Sequence, residues 1–195
     1  MSKRNAILEA ATRLFSRNGF SATSMADLSE ATGAARGTIF HHFKNKEDIF
    51  LHILDNVQEN MRTSFEAFKN ETRFRNGLEM VQGVITFYLN LAGKMEDHFL
   101  LIHRHFPYQM AETNPDCLEY LEKIYNCLLD IFEEGIVLGI SDGSVKTASP
   151  RHTAMILFAM VDGVARLNTY NLYHAGSLYN DLMASCKAIL IDESG

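Results

Sequence analysis

Cysteine is scarce in this sequence and does not pair. Cys117, Cys127 and Cys186 are the only three, an odd number with no C-x-x-C spacing, which argues against a disulfide framework and a zinc knuckle and favours a reducing cytoplasm. Long apolar runs are missing too. The longest strongly apolar stretch, Ala154 to Val161, falls far short of the roughly 20 residues a membrane helix needs, and the opening MSKRNAILEAATRLF is amphipathic rather than a signal core. Neither export nor a membrane partner is expected. A Gly-rich phosphate loop, an H-E-x-x-H pair and a G-x-S-x-G elbow are all absent, so no catalytic motif stands out and no cofactor is implied. The marks of a disordered chain are absent as well: 47% of the residues are hydrophobic and 22% charged, and 195 residues are ample for a packed core.

What is present is an uneven charge. The net value of -6 divides into +4 over the chain up to Lys46, where seven basic residues face three acidic ones, and -10 over the remainder. A basic head on an acidic body suits phosphate binding by the head alone.

Apolar residues recur at helical spacing along most of the chain, and no segment reads convincingly as a strand. Ile7, Leu8, Ala11, Leu14 and Phe15 form the stripe of a first helix that stops at Gly19. Thr23 or Ser24 caps a second, with Asp27 three residues after Ser24 in a variant capping box, and Gly33 ends it. A short helix over 34–42 follows. Asn45 then caps a long helix that runs to about Phe68, with Glu47 and Asp48 at its positive end. Two short helices around a tight Gly-containing turn, braced on both sides, make a helix-turn-helix. Further helices are expected over 75–92, 94–106, 116–139, 150–174 and 177–191, interrupted at Gly93, Pro107 and the GISDGS turn, with Ser149-Pro150 as a start signal.

A helix-turn-helix places the N-terminal residues of its second helix against base edges, while neighbouring elements hold the backbone. Arg36 carries the fork that donates two hydrogen bonds to guanine O6 and N7, and Ala35 and Thr38 suit thymine methyls. Gly37 admits the helix backbone close to the groove wall. His41, His42, Lys44 and Lys46 are candidates for phosphate, as are Thr23 and Ser24 at the start of the second helix.

The run TSMADLSEATGAARGTIFHHFKNKEDIF resembles the N-terminal DNA-binding signature of the TetR family of bacterial transcriptional regulators. The resemblance covers roughly the first 50 residues; beyond them only length, helicity and a late VDGVARL segment are similar. It departs from the family pattern at Phe40, where tyrosine is usual, and at Ala35, where serine is common. The resemblance implies an all-α fold: a three-helix helix-turn-helix domain over 1–46, joined by a long helix to a helical effector-binding and dimerisation domain over 47–195. The implied protein is not an enzyme. It is a homodimeric repressor that binds a palindromic operator, with Phe40 counted among the contact residues, and is released by a small, largely apolar effector.

For that effector, candidate lining residues are Met80, Phe87, Phe99, His103, Tyr125 and Phe132, in a cavity between the head and the dimerising helices. For the dimer interface they are Phe158, Val161, Ala165, Leu178 and Leu182 on the last two helices. A filled core is the alternative for the first set, and a subunit's own core for the second. The stretch HFLLIHRH invites a metal, but His98 and His105 stand ~10.5 Å apart along a helix axis and His103 points elsewhere, so no metal site is expected. A hydrolase built on one cysteine and a histidine, or a DNA binder answering to a protein partner, remain the rival readings.

Overall fold

The structure, a computed structural model, describes residues 2–191. Residue 1 and residues 192–195, at the outer ends of the two expected domains, lie outside them. Among the described residues there are ten α-helices and no strand. They are α1 (Lys3–Arg17), α2 (Met25–Thr32), α3 (Arg36–His42), α4 (Lys46–Glu71), α5 (Gly77–Lys94), α6 (Glu96–Ile102), α7 (His105–Ala111), α8 (Pro115–Asp142), α9 (Pro150–Thr169) and α10 (Ala175–Leu190). None of the helices is long and apolar enough to cross a membrane.

The local signals for helix ends act as their chemistry requires. Ser24 and Asp27 close a full capping box on α2: the Asp27 N–H donates to the Ser24 hydroxyl at 3.2 Å, and the Ser24 N–H donates to the Asp27 carboxylate at 2.7 Å. Gly33 ends α2 at φ 65, in the left-handed region where a side chain is strained. Asn45 accepts from the Asp48 N–H at 2.8 Å and so caps α4.

The interruptions differ from those expected: Gly93 lies inside α5, which runs to Lys94, and α9 ends at Thr169, short of 174. The segment 94–106 is not one helix, because α6 ends at Ile102 and a new helix opens at His105. Pro107 lies inside this second helix rather than breaking it, since N–H groups in a first turn have no intrahelical partner to lose. Gly139 and Ile140, read as part of a turn, continue α8 to Asp142, and the chain reverses at Gly143 with φ 81.

The chain forms two compact units. One comprises the chain up to Glu59 together with Glu96–Ile124; the other comprises Asn60–Met95 together with the chain from Tyr125 onward. In the first, α1 packs on α2, α3 and α6, so this unit takes in 96–124, which the sequence assigned to the larger domain. Phe15, Phe20, Phe50 and Phe106 form its aromatic core, with Phe20 and Phe106 stacked at 3.8 Å between centroids. In the second, α9 packs on α5 and α10. There Tyr88, Phe132 and Phe158 meet edge to face. Gly77 lets the start of α5 approach α8 so closely that a Cβ would fall 1.9 Å from the Gly139 nitrogen.

Candidate nucleic-acid interface

Helix α3 is two turns long and divides cleanly between core and solvent. Ile39 is fully buried, fastening the helix to the head, whereas Arg36, Gly37, Phe40 and His41 are exposed and share the outer face at i, i+1, i+4 and i+5. Thr38 and His42 are half-buried at its edges, and the His42 ring packs against His41 and Phe43. Ala35, the N-cap, is exposed and makes no side-chain cap, which leaves the first N–H groups of α3 without the partner that serine would provide. The Arg36 guanidinium has no hydrogen-bond or ion-pair partner among the described residues. It stands in solvent at the first position of the helix.

Two residues expected at phosphates face inward. Thr23 is only 1% exposed, and its hydroxyl donates to the Gly19 carbonyl at 2.9 Å. It thereby closes the turn between α1 and α2. The Lys46 ammonium donates to the carbonyls of Phe20 and Thr23, both at 2.7 Å, and lies 4.3 Å above the centre of the Phe20 ring. Partial burial pushes its pKa down, against the opposing charges of Asp27 and Glu47. With two of three N–H groups on protein carbonyls, Lys46 ties the turn before α2 to the start of α4. Ser24 remains exposed, its hydroxyl engaged with Asp27, and Lys44 is exposed at the α3–α4 junction. Hydrogen bonds from the Ser24 N–H and hydroxyl hold the Asp27 carboxyl below the usual carboxylate range.

The exposed polar residues of α3 therefore rest on an internal scaffold, and part of that scaffold was not anticipated. Arg104, at the α6–α7 junction, donates to the carbonyls of Ser16 and Arg17 at the end of α1. Asp97 of α6 accepts from the Ser16 hydroxyl at 3.2 Å and the Arg17 guanidinium at 3.1 Å. Arg104 is the one arginine of HFLLIHRH, and its spacing from the neighbouring histidines carries no sign of the α1 carbonyls that it reaches. Of those histidines, His98 is half-buried, with its pKa lowered by burial against the charges of Asp97 and Glu9. His103 is buried, and His105 opens α7 in solvent.

The six candidate effector residues are distributed over both units. Phe99 and His103 belong to the first, their rings 6.1 Å apart. Met80, Phe87, Tyr125 and Phe132 belong to the second, where Phe132 and Tyr125 both contact the Phe158 ring. Phe87 stacks on Phe68 at 4.9 Å and lines a groove of about 380 Å³ together with Ser64, Glu71, Asn90 and Lys94.

The candidate dimer residues are placed inward: Phe158, Val161, Ala165 and Leu182 are buried within the subunit and Leu178 half-buried. Helix α9 has a second apolar face, with Met155 49% and Ile156 53% exposed and with Ala159, Gly163 and Tyr170 also in solvent. That face continues into a concavity of about 700 Å³ floored by Met160, Gly163, Val164, Leu167 and Leu172.

Comparison with known proteins agrees with this arrangement. Residues 7–53 match the family model described as bacterial regulatory proteins, tetR family. The HTH-type transcriptional regulator YfiR of Bacillus subtilis is 29% identical over 174 residues, 86% of this chain and 81% of its own length. Among solved structures, a regulator from Saccharomonospora viridis in complex with choline superposes with a TM-score of 0.82 at 20% identity, covering 97% of this chain and 98% of its own. FadR from Bacillus subtilis in complex with stearoyl-CoA superposes with a TM-score of 0.78, also at 20% identity, covering 96% and 99%. With its helix-turn-helix head carried by this all-α fold, the chain is a transcriptional regulator of the TetR family.

Proposed function

We propose that the protein is a repressor that binds a palindromic operator as a homodimer and is released by a small-molecule effector in the cytoplasm. The observation that carries the reading is Arg36. Its guanidinium is exposed, with no hydrogen-bond or ion-pair partner among the described residues, at the first position of a helix fastened to the head by Ile39. An uncommitted bidentate donor in that position matches guanine O6 and N7. Ala35, Gly37, Thr38, Phe40 and His41 flank it on the surface that would meet the groove, with Ser24, His42 and Lys44 at the margin.

One two-turn helix contacts too few base pairs to identify a site, so two heads are needed, and twofold symmetry then makes the operator an approximate palindrome. The exposed face of α9, apolar and spaced as a helix seam, supports a second copy as its cover. The solved relatives with choline and with stearoyl-CoA support a small molecule as effector class without selecting one. Such a molecule releases DNA to the extent that it prefers the conformation in which the two α3 helices miss successive grooves.

Operator selection from randomised DNA, followed by titration of Arg36→Ala, tests the reading. The wild type should select a palindrome, and the variant should lose preference at one base pair per half-site by about 1–3 kcal/mol. An unchanged preference removes Arg36 from base reading; failure to select any site removes the repressor.

A further inference from the structure

We propose that Phe40 reads DNA as well, by receiving the C5 methyl of a thymine within two base pairs of the base that Arg36 reads. The proposal rests on the DNA-binding reading above and adds a specificity determinant to it.

Phe40 is 53% exposed, immediately beside the fully buried Ile39. Among the described residues no aromatic ring packs on it and no cation lies over it, unlike Phe15, Phe20 and Phe43 elsewhere in the head. Side chains on a helix lean toward its N-terminus, so the ring lies over the turn that contains Arg36 and Gly37. Gly37 leaves that side clear: a Cβ built there meets nothing within 4 Å. The outer face of α3 thus presents a guanidinium and a phenyl ring as i, i+4 neighbours, beside an open patch of backbone.

The chemistry of a phenyl ring narrows what this face can recognise. It has no hydroxyl, so it offers nothing to a phosphate oxygen and nothing to the donors and acceptors of base edges. The one apolar group that the major groove displays is the thymine methyl. Neighbours at i, i+4 have Cβ atoms about 5–6 Å apart, and base pairs rise about 3.4 Å each. The two readers therefore fall one or two base pairs apart, and each half-site should contain a guanine with a thymine inside that window.

The test replaces thymine by deoxyuridine, which removes the methyl and leaves every hydrogen bond in place. An operator selected from random DNA with the full-length protein is substituted one thymine at a time, symmetrically in both half-sites. Affinity is then measured by fluorescence anisotropy for the wild type, Phe40→Ala and Phe40→Leu. Arg36→Ala locates the guanine. For the wild type, one thymine in the window should show a loss of about fourfold per half-site on conversion to deoxyuridine, the factor expected for burying a group the size of a methylene. The loss should vanish in Phe40→Ala and persist in part in Phe40→Leu, which keeps an apolar side chain at the position. A selected site with no methyl-sensitive thymine in the window overturns the proposal while the repressor reading stands. So does a methyl effect of full size in Phe40→Ala, which would assign the contact to Ala35 or Thr38. Selection of no site at all removes both.

Discussion

The guanidinium of Arg104 closes the end of α1: its Nε donates to the carbonyl of Ser16 at 2.7 Å and a terminal nitrogen donates to that of Arg17 at 2.9 Å. The last carbonyls of a helix have no intrahelical partner and carry the negative end of its dipole, so a cation there satisfies both. Arg104→Ala should lower the stability of the head by roughly 1.5–3 kcal/mol, as for hydrogen bonds to a charged group. Urea unfolding together with amide exchange over 3–17 measures it. A wild-type midpoint with unaltered protection of α1 would remove the anchoring role.

Lys46 has a different role from the exposed cations near it. Its two 2.7 Å bonds to the carbonyls of Phe20 and Thr23 make it part of the head's interior scaffold, so Lys46→Ala should lower the unfolding midpoint measurably. Its salt dependence of operator binding should stay near that of the wild type. Lys44→Ala should do the reverse, reducing the salt slope by about one unit per subunit with stability unchanged. Parallel salt titrations and thermal scans separate the two, and a reduced slope with wild-type stability for Lys46→Ala would return that residue to the phosphates.

A charge placed on each side of α9 should have opposite consequences. Ile156→Glu adds a carboxylate to a face already in solvent, and is expected to give folded monomers with weakened operator binding. Val161 is 0% exposed, so Val161→Glu buries a charge without a partner and should unfold the subunit rather than dissociate it. Sedimentation and circular dichroism distinguish the outcomes. Dimers of Ile156→Glu with wild-type DNA affinity would place the interface elsewhere.

The three cysteines should react unequally. Burial pushes the thiols of Cys117 and Cys186 up to about 11, which keeps them protonated and slow at neutral pH, while Cys127 is half-buried and accessible. One thiol should label quickly in the native protein and three after unfolding. Because the folded values lie above the ordinary thiol value, their contribution to stability is complete below about pH 8.5 and is lost as pH rises toward 11. Alkaline unfolding of Cys117→Ala and Cys186→Ala, compared with the wild type between pH 8 and 11, checks the sign.

Local chemistry was sufficient for much of the head. The capping box of Ser24 and Asp27, the left-handed stop at Gly33 and the Asn45 cap each depend on residues within four positions of one another, so their spacing in the chain specifies them. Arg36 and Ile39, three positions apart, are neighbours on the helix surface, so period alone does not separate the exposed guanidinium from the buried side chain; the packing of the head does. The role of Arg104 was not legible in this way, because the carbonyls it reaches belong to the end of α1, 88 positions earlier in the sequence.

The sequence alone determined the all-helical class, the helix-turn-helix and the family, since these rest on period, caps and a contiguous signature. Tertiary structure alone decided which members of that signature stay exposed to solvent. Thr23 and Lys46 have the chemistry of phosphate ligands, yet backbone carbonyls within the head take up their donors, at Gly19 for one and at Phe20 and Thr23 for the other. It likewise decided which face of α9 is left in solvent. That helix is apolar on both sides, and the packing of α5, α8 and α10 against it turns Phe158, Val161 and Ala165 inward and leaves Met155 and Ile156 in water. A side chain's chemistry is written in its residue type; whether a donor or an apolar surface remains free depends on neighbours that are distant in the chain.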